Sequence, residues 1–306
     1  DVFAVIAYCP ITDLGNADMA YEWLYQGGST AANTAQGDWS ELAQGASAEL
    51  AAAYPAYLAG LGVTLADGTP LTADTMKDAI AAEAAGEVER HLASGGTVPA
   101  RGEMFEITLR LMHGEEKQIS LPNDWVTVEG GKVTELDIDA YLAFVAQTAA
   151  LKNVPAFDRT ANTGNQGVDG ENSLFGTPAQ AYANFSAYGW NHNEVAGDGS
   201  GADDTGMDWA SWTAGDGAPL LAQTRLINPL TYLGTDAKAA PYWYVRHGLI
   251  DRDTSFAVEV TLANAARMDA DVKSVDFRLP WMTPHAGDYD VQEAYGWLAG
   301  VLAEAK

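Results

Sequence analysis

Residues 242–258 read YWYVRHGLIDRDTSFAV. The first half is an apolar run of residues that favour strands and it ends at Gly248, while apolar residues recur at helical spacing from Thr254 to Met268. A second strand is predicted at 275–279 and a second amphipathic helix at 291–302. A strand, a helix, a strand, a loop and a helix in this order are typical of the end of a doubly wound α/β sheet.

Each of these two strands is followed by a side chain that can carry chemistry. Asp251 follows the first strand, and His285 follows the second, within the loop LPWMTPHAGDYD (279–290). The carboxyl ends of parallel strands meet at one edge of a sheet, so the two side chains are expected to lie together. An Asp and then a His in these positions is the order of the last two members of the Ser–Asp–His triad in α/β-hydrolases.

We therefore predict that Asp251 forms a hydrogen bond of ~2.6–3.2 Å with a ring nitrogen of His285. Such a carboxylate fixes the tautomer of the histidine, which then acts as the general base. The alternative is that Asp251 caps the helix that follows it and that His285 is a surface residue between two prolines. His247, on the strand before Asp251, is predicted to be a packed core histidine.

The third member of such a triad does not occur in this sequence. The pattern Gly-x-Ser-x-Gly is absent, and the nearest stretch, 45–49, reads GASAE. Residues 2–8 form a continuous apolar run, which is typical of a strand covered on both faces, and the strands at about 241–247 and 275–279 can flank it on one side only. We therefore expect a companion segment of ~150–200 residues, either a cleaved N-terminal fragment or a separate chain, that carries the serine and packs against residues 1–13.

The composition excludes several classes of function. Of the 306 residues, 47% are hydrophobic and 19% are charged, and the formal net charge is −26. The chain can therefore bury a core, and we expect neither nucleic acid nor a membrane as a partner. No apolar run reaches the ~18–20 residues of a membrane-spanning helix.

Metal and disulfide sites are also disfavoured. The single cysteine, Cys9, excludes a disulfide framework and a cysteine-rich zinc site, and it is predicted to be a small buried residue. The acidic loop 198–208 lacks the spacing of an EF-hand and is predicted to be solvated. We expect no metal and no cofactor.

Six stretches of the sequence together resemble the bacterial tannases, in particular those of subtype B, and related esterases. They are AYCPITDLGNADMAYEW (7–23), LKNVPAFD (151–158), GENSLFG (170–176), RLINPLTYL (225–233), YWYVRHGLIDRDTSFAV (242–258) and LPWMTPHAGDYD (279–290). Tannases are α/β-hydrolases that cleave esters of phenolic acids. The resemblance implies an α/β fold class, namely the C-terminal part of an α/β-hydrolase fold with a large inserted lid domain. It implies a core strand at 1–13, a lid or insertion domain at 14–235 and the C-terminal part of the hydrolase core at 236–306.

The resemblance also implies roles for single residues. Asp251 resembles the triad acid and His285 the triad base. In the tannases a Lys, a Glu and a second Asp bind the hydroxyls of a galloyl ring, and these residues resemble Lys152, Glu171 and Asp253. Carboxylates accept hydrogen bonds from phenolic hydroxyls, and a Lys donates to an adjacent oxygen.

Alternatives stay open for these binding residues. Lys152 can equally be a solvated helix end and Asp253 a helix N-cap, and the alignment from Lys152 to Glu171 crosses an expanded stretch at 159–170. Among the aromatic residues, Trp281 lies four positions before His285. It is therefore the aromatic side chain that we expect to contact the substrate.

The function implied by the resemblance is a serine ester hydrolase that acts on esters of phenolic acids such as gallate, through an acyl-enzyme. The acyl group is left open between galloyl, feruloyl and an aromatic dicarboxylate such as terephthaloyl. A non-catalytic binding or structural subunit with the same fold is the alternative outside the enzymes. The expected partners are the companion segment with the serine and a small aromatic ester. A secreted or cell-surface location is favoured, with any signal peptide on the companion segment.

Overall fold

A computed structural model of the chain describes residues 2–25, 39–110, 116–159, 170–176, 181–193, 199–285 and 289–305. The strands in these residues are, in chain order, β1 (Ala4–Tyr8), β2 (Met104–Arg110), β3 (Glu116–Pro122), β4 (Val126–Glu129), β5 (Lys132–Leu136), β6 (Tyr242–Arg246) and β7 (Ser274–Arg278). The helices are α1 (Leu14–Tyr25), α2 (Glu41–Gly60), α3 (Ala73–Ala93), α4 (Ile138–Thr148), α5 (Gly170–Ser173), α6 (Ala187–Asn191), α7 (Ala202–Thr205), α8 (Trp209–Thr213), α9 (Ala218–Leu226), α10 (Phe256–Met268) and α11 (Val291–Glu304). Among the described residues, no helix is both long and apolar enough to cross a bilayer.

The chain divides into two compact units. The sheet unit consists of Asp1–Pro10, Leu61–Ala149 and Tyr232–Lys306, and the helical unit consists of Ile11–Gly60 and Ala150–Thr231. Residues 61–149 therefore group with the sheet, whereas the predicted boundaries placed them in the insertion at 14–235. The reason is that α3 packs against α10, where Glu83 lies 3.8 Å from Arg267. That the remaining insertion is a lid stays a prediction.

The sheet unit is built on a three-stranded parallel sheet in the order β1–β6–β7. All residues of the central strand β6 are buried, because helices cover both faces. On one face the ring of Trp297 in α11 contacts Tyr244 at 5.3 Å between centroids, and on the other the ring of Phe256 in α10 contacts His247 at 4.7 Å. This layered arrangement agrees with the predicted α/β class.

The predicted first strand is present as β1, at the edge of this sheet. Val2, Phe3 and Ile6 are 65%, 36% and 38% exposed. β6 pairs with one edge of β1, and within the residues that the structure describes no strand pairs with the other edge. The predicted cover on both faces is therefore not seen here, and backbone N–H and C=O groups at this edge are open to further pairing.

Local sequence signals explain where several helices begin. Thr72 and Thr75 form a reciprocal capping box at the start of α3. Ser255 caps α10, and its side chain accepts a hydrogen bond from the backbone N–H of Ala257. Strand β2 alternates between exposed and buried residues as its sequence predicts.

The helix predicted at 291–302 is present, but its apolar face is only partly buried, because Tyr295 is 62% exposed and Leu302 is 45% exposed. The segment 159–217 contains the short helices α5 to α8 where it is described. Strands β3 to β5 were not predicted, because β4 and β5 are only four and five residues long and most of β3 is exposed, so that no clear apolar pattern marks them.

Buried carboxylates order the helical unit. Asp158 is buried and accepts a hydrogen bond from the side-chain amide of Asn184 at 2.6 Å. Asp18 of α1 accepts from the backbone N–H of Asp158 at 3.1 Å, and Glu22 accepts from the hydroxyl of Ser47 at 2.6 Å. Burial is the main cause that raises the pKa of Asp18 to about 7 and the pKa of Glu22 to about 8.

Arg246, at the end of β6, is the cation of an ion-pair cluster. Its side chain is 1% exposed, and its guanidinium lies 3.1 Å from Asp276 of β7, 3.1 Å from Asp290 and 3.4 Å from Glu293 of α11. The hydroxyl of Tyr244 also donates to Asp290 at 2.6 Å. One side chain therefore joins β6, β7 and the start of α11.

We predict that Arg246→Ala lowers the free energy of unfolding by about 3 kcal/mol, because the removal of one partner leaves poorly solvated carboxylates without their cation. The measurement is equilibrium unfolding in urea followed by circular dichroism. Arg225→Ala, at an exposed position of α9, is the matched control and should change stability by less than about 0.5 kcal/mol. Equal losses in the two variants would contradict the role given to Arg246.

Candidate active site

Asp251 and His285 meet at the carboxyl edge of the sheet. The side chain of Asp251 is fully buried, that of His285 is 38% exposed, and Nδ1 of His285 lies 3.0 Å from Oδ2 of Asp251. The predicted hydrogen bond is thus present. The alternative in which Asp251 caps the next helix is wrong, because Ser255 caps α10.

Gly248 lets the two loops that carry these residues approach each other. The backbone N–H groups of Leu249 and Ile250 donate to the carbonyl oxygens of Pro280 (3.0 Å) and Thr283 (3.1 Å). A Cβ atom at position 248 would lie only 2.1 Å from the carbonyl oxygen of Thr283. Glycine is therefore required here for lack of space rather than for its backbone angles.

Several groups hold the carboxylate of Asp251. Its Oδ1 accepts a hydrogen bond from the backbone N–H of Asp253 at 2.8 Å. Burial opposes the ionisation of Asp251, but the charge of His247 and the hydrogen bonds from His285 and Cys9 outweigh it and keep the pKa of Asp251 below its usual value. The hydrogen bond to Asp251 is also the main cause that raises the pKa of His285.

Cys9 lies beside the pair, which the sequence did not indicate. Its sulfur is within 4.8 Å of an oxygen of Asp251 and a ring nitrogen of His285, and 3.9 Å from the hydroxyl of Tyr289. Sulfur, nitrogen and oxygen are donor types of zinc sites, but the nitrogen and the oxygen already share a hydrogen bond, so we assign no metal. The signal that could have found Cys9 is its place directly after β1, at the carboxyl edge of the same parallel sheet.

Two of the predicted binding residues meet in the helical unit. Nζ of Lys152 lies 3.9 Å from Oε1 of Glu171, and both side chains are 19% exposed. The same ammonium lies 4.2 Å from the centroid of the Phe157 ring. Lys152 is therefore not a solvated helix end, while most of the expanded stretch at 159–170 lies outside the described residues.

The other two predicted binding residues, Asp253 and Trp281, belong to the sheet unit. The carboxylate of Asp253 accepts a hydrogen bond from the guanidinium of Arg252, and it is not the helix N-cap. Trp281 stacks on His91 at 4.2 Å between ring centroids and lines a cavity of about 480 Å³. That either residue contacts substrate stays a prediction.

The remaining candidates have structural partners where they are described. Asp204 accepts a hydrogen bond from the backbone N–H of Ser200 at 3.1 Å, and Asp208 caps α8. Asp198 of the same acidic loop lies outside the described residues. These contacts give the loop 198–208 a role in capping and turn formation.

We predict that Gly248→Ala destabilises the sheet unit by ~1–3 kcal/mol, because the new methyl group overlaps a backbone carbonyl that cannot move freely. It should also shift the NMR signals of the His285 ring, since the displaced loop carries that residue. Gly296→Ala is the matched control: it lies in α11 with open space around the added atom, and should stabilise the chain by up to ~1 kcal/mol. A Gly248→Ala protein as stable as the wild type would refute the proposed close approach.

The chain is similar to solved structures of tannases over nearly its whole length. A tannin acyl hydrolase in complex with 3,4-dihydroxybenzoate matches 98% of this chain at 30% sequence identity and a TM-score of 0.73, and this chain covers 56% of it. The tannin acyl hydrolase from Lactobacillus plantarum matches 98% at 29% identity and a TM-score of 0.70, with 57% of its length covered. The Fusobacterium nucleatum tannase matches 98% at 26% identity and a TM-score of 0.70, with 59% covered.

This chain thus spans less than two thirds of the length of the structures that it matches. No family model and no curated protein sequence matches it.

Proposed function

We propose a function on the premise that this chain belongs to the bacterial tannase family, to whose structures it is similar over 98% of its length. We infer that it supplies the triad acid Asp251 and the triad base His285 of a serine hydrolase that cleaves esters of phenolic acids. The observation that carries this proposal is the 3.0 Å hydrogen bond between the two side chains at the carboxyl edge of a parallel sheet.

The geometry suggests how these residues would act. Because Nδ1 of His285 is engaged by Asp251, Nε2 is the nitrogen left for a serine. It would take the hydroxyl proton as the serine oxygen attacks the ester carbonyl, and return it to the leaving alcohol. A water molecule would then attack the acyl-enzyme with the same proton transfers, so that the acid is released and the serine restored.

The serine would come from the companion segment, together with the backbone donors of the oxyanion hole. Support for such a segment comes from β1, which has one open edge and exposed apolar side chains at Val2, Phe3 and Ile6. We propose that a strand of the companion segment pairs there. Its serine would then lie at the edge of the sheet that carries His285.

The acyl group that we favour is galloyl. The 3.9 Å contact between Lys152 and Glu171 supports a polar subsite in the helical unit. One of the matched tannin acyl hydrolases was solved with 3,4-dihydroxybenzoate and another with ethyl gallate. Both ligands carry adjacent ring hydroxyls, which suit acceptors of this kind.

The decisive test of the hydrolase assignment is to express the chain together with the companion segment and to assay hydrolysis of methyl gallate. We predict that Asp251→Asn and His285→Ala each lower kcat by ~10³–10⁴-fold, as the loss of a triad member does. Asp67→Asn, at an exposed turn, is the control and should leave kcat unchanged. Full activity of either triad variant would overturn the assignment. Hydrolysis by this chain alone would overturn the companion segment only.

We further predict that Glu171→Ala lowers kcat/KM for methyl gallate at least about tenfold more than for methyl benzoate, because only the gallate leaves its hydroxyls unpaired. Glu49→Ala, a change at a mostly exposed carboxylate of the same unit, should affect both esters equally and little. Equal losses on the two esters in Glu171→Ala would exclude the galloyl subsite while the esterase assignment stands. A preference for feruloyl or terephthaloyl esters would point to the other acyl groups.

A further inference from the structure

A second histidine lies directly behind the proposed triad. Nδ1 of His247 is 3.6 Å from Oδ2 of Asp251, the same oxygen that is bonded to His285, and 3.7 Å from Oε1 of Glu259 on α10. The side chains of His247, Asp251 and Glu259 are all 0% exposed. The ring of Phe256 covers His247 from one side at 4.7 Å. The structure thus contains a row of Glu259, His247, Asp251 and His285, of which the first three are buried.

Hydrogen bonds do little to stabilise charges on Glu259 and His247. Within the described residues, neither carboxylate oxygen of Glu259 and neither ring nitrogen of His247 carries a hydrogen bond. Two carboxylates that face one fully buried imidazole favour its protonated form, because an unpaired buried charge is costly. His247 is a packed core residue, as the sequence predicted, and in addition it lies between two acids.

We propose that His247 is a positioning residue of this hydrolase, a buried cation between Glu259 and Asp251 that keeps Asp251 ionised and directed at His285. The proposal rests on the hydrolase function proposed above. His247 acts through Asp251, the residue that it shares with His285. Glu259 has the further role of keeping the proton on His247.

Groups from several packed elements determine where the proton on His247 is lost. The groups that face the row are Asp251 from the loop after β6, Glu259 from α10, Cys9 after β1, His285 and Tyr289 from the segment after β7, and Tyr141 of α4. Burial disfavours the protonated ring, but Asp251 and Glu259 outweigh burial and raise the pKa of His247 to about 9. Burial raises the pKa of Glu259 to about 7 against the pull of His247.

The sign of the effect on His285 follows from Coulomb's law. A protonated His247 and a protonated His285 would both interact with the carboxylate of Asp251, and their positive charges would repel each other. The charge on His247 therefore lowers the pKa of His285 relative to the value that Asp251 alone would give. With His247 neutral or absent, His285 would hold its proton to higher pH. The base would then be blocked over a wider range of pH, because only the neutral ring accepts the serine proton.

The first experiment uses this chain alone and does not depend on activity. The five histidines are assigned by single substitutions in ¹H–¹³C NMR spectra, and their ring signals are followed from pH 5 to pH 10. We expect His247 to remain protonated above pH 7.5 and to titrate at lower pH in Glu259→Gln. A His247 ring that is neutral at pH 7 overturns the proposal.

The second experiment measures His247→Gln in the same titration and, with the companion segment, in the pH profile of kcat/KM. We expect the pKa of His285 and the acid limb of the profile to rise by about one pH unit, which is a tenfold change in proton affinity. Glu259→Gln should shift the limb less and in the same direction, and His192→Gln, in the helical unit, should not shift it. A uniform loss of kcat at every pH without a shift would show a merely structural role and overturn the proposal. Should His247→Gln fail to fold, the titration of His247 in the unsubstituted chain and in Glu259→Gln decides the question.

Discussion

The buried negative charge of Asp251 is the constraint around which the sheet unit is arranged. The carboxylate of Asp251 is fully buried, and such a charge persists only where opposite charge and hydrogen bonds replace its hydration. Its partners come from separate parts of the chain: His247 directly after β6, His285 from the loop after β7, and the backbone N–H of Asp253. These groups converge only because β6 and β7 are parallel and in register, and because Gly248 admits the second loop.

The sequence predicted the parts of this arrangement that depend on chain order. Asp251 and His285 follow consecutive strands, and the rule that parallel strands end at one edge brings them together. It did not predict Glu259 or the charge on His247, because burial and the angular position of a residue on α10 arise only when the helix packs. Cys9 was placed correctly as a buried residue but not recognised as a neighbour of the pair.

The division into units shows a second limit of sequence reasoning. α2 and α3 are both rich in Ala and Glu, and the family resemblance put them in one insertion. The structure separates them, because α3 packs against α10 and Lys132 of β5 pairs with Glu89 of α3 at 2.6 Å. Lys152 and Glu171 were matched through family resemblance. No local pattern could have paired two residues that lie on either side of the expanded stretch at 159–170.

The buried carboxylates of the helical unit and the proposed triad of the sheet unit respond to acid in opposite ways. The folded-state pKa values of Asp18 and Glu22 are raised to about 7 and about 8, above those of an unfolded chain. The folded state therefore binds protons more tightly, so that this contribution favours folding as the pH falls and is lost as the pH rises through that range. The proposed triad has the reverse requirement, since His285 must be deprotonated to act as its base. Acidification would thus stabilise these contacts of the helical unit while it protonates the base of the proposed triad.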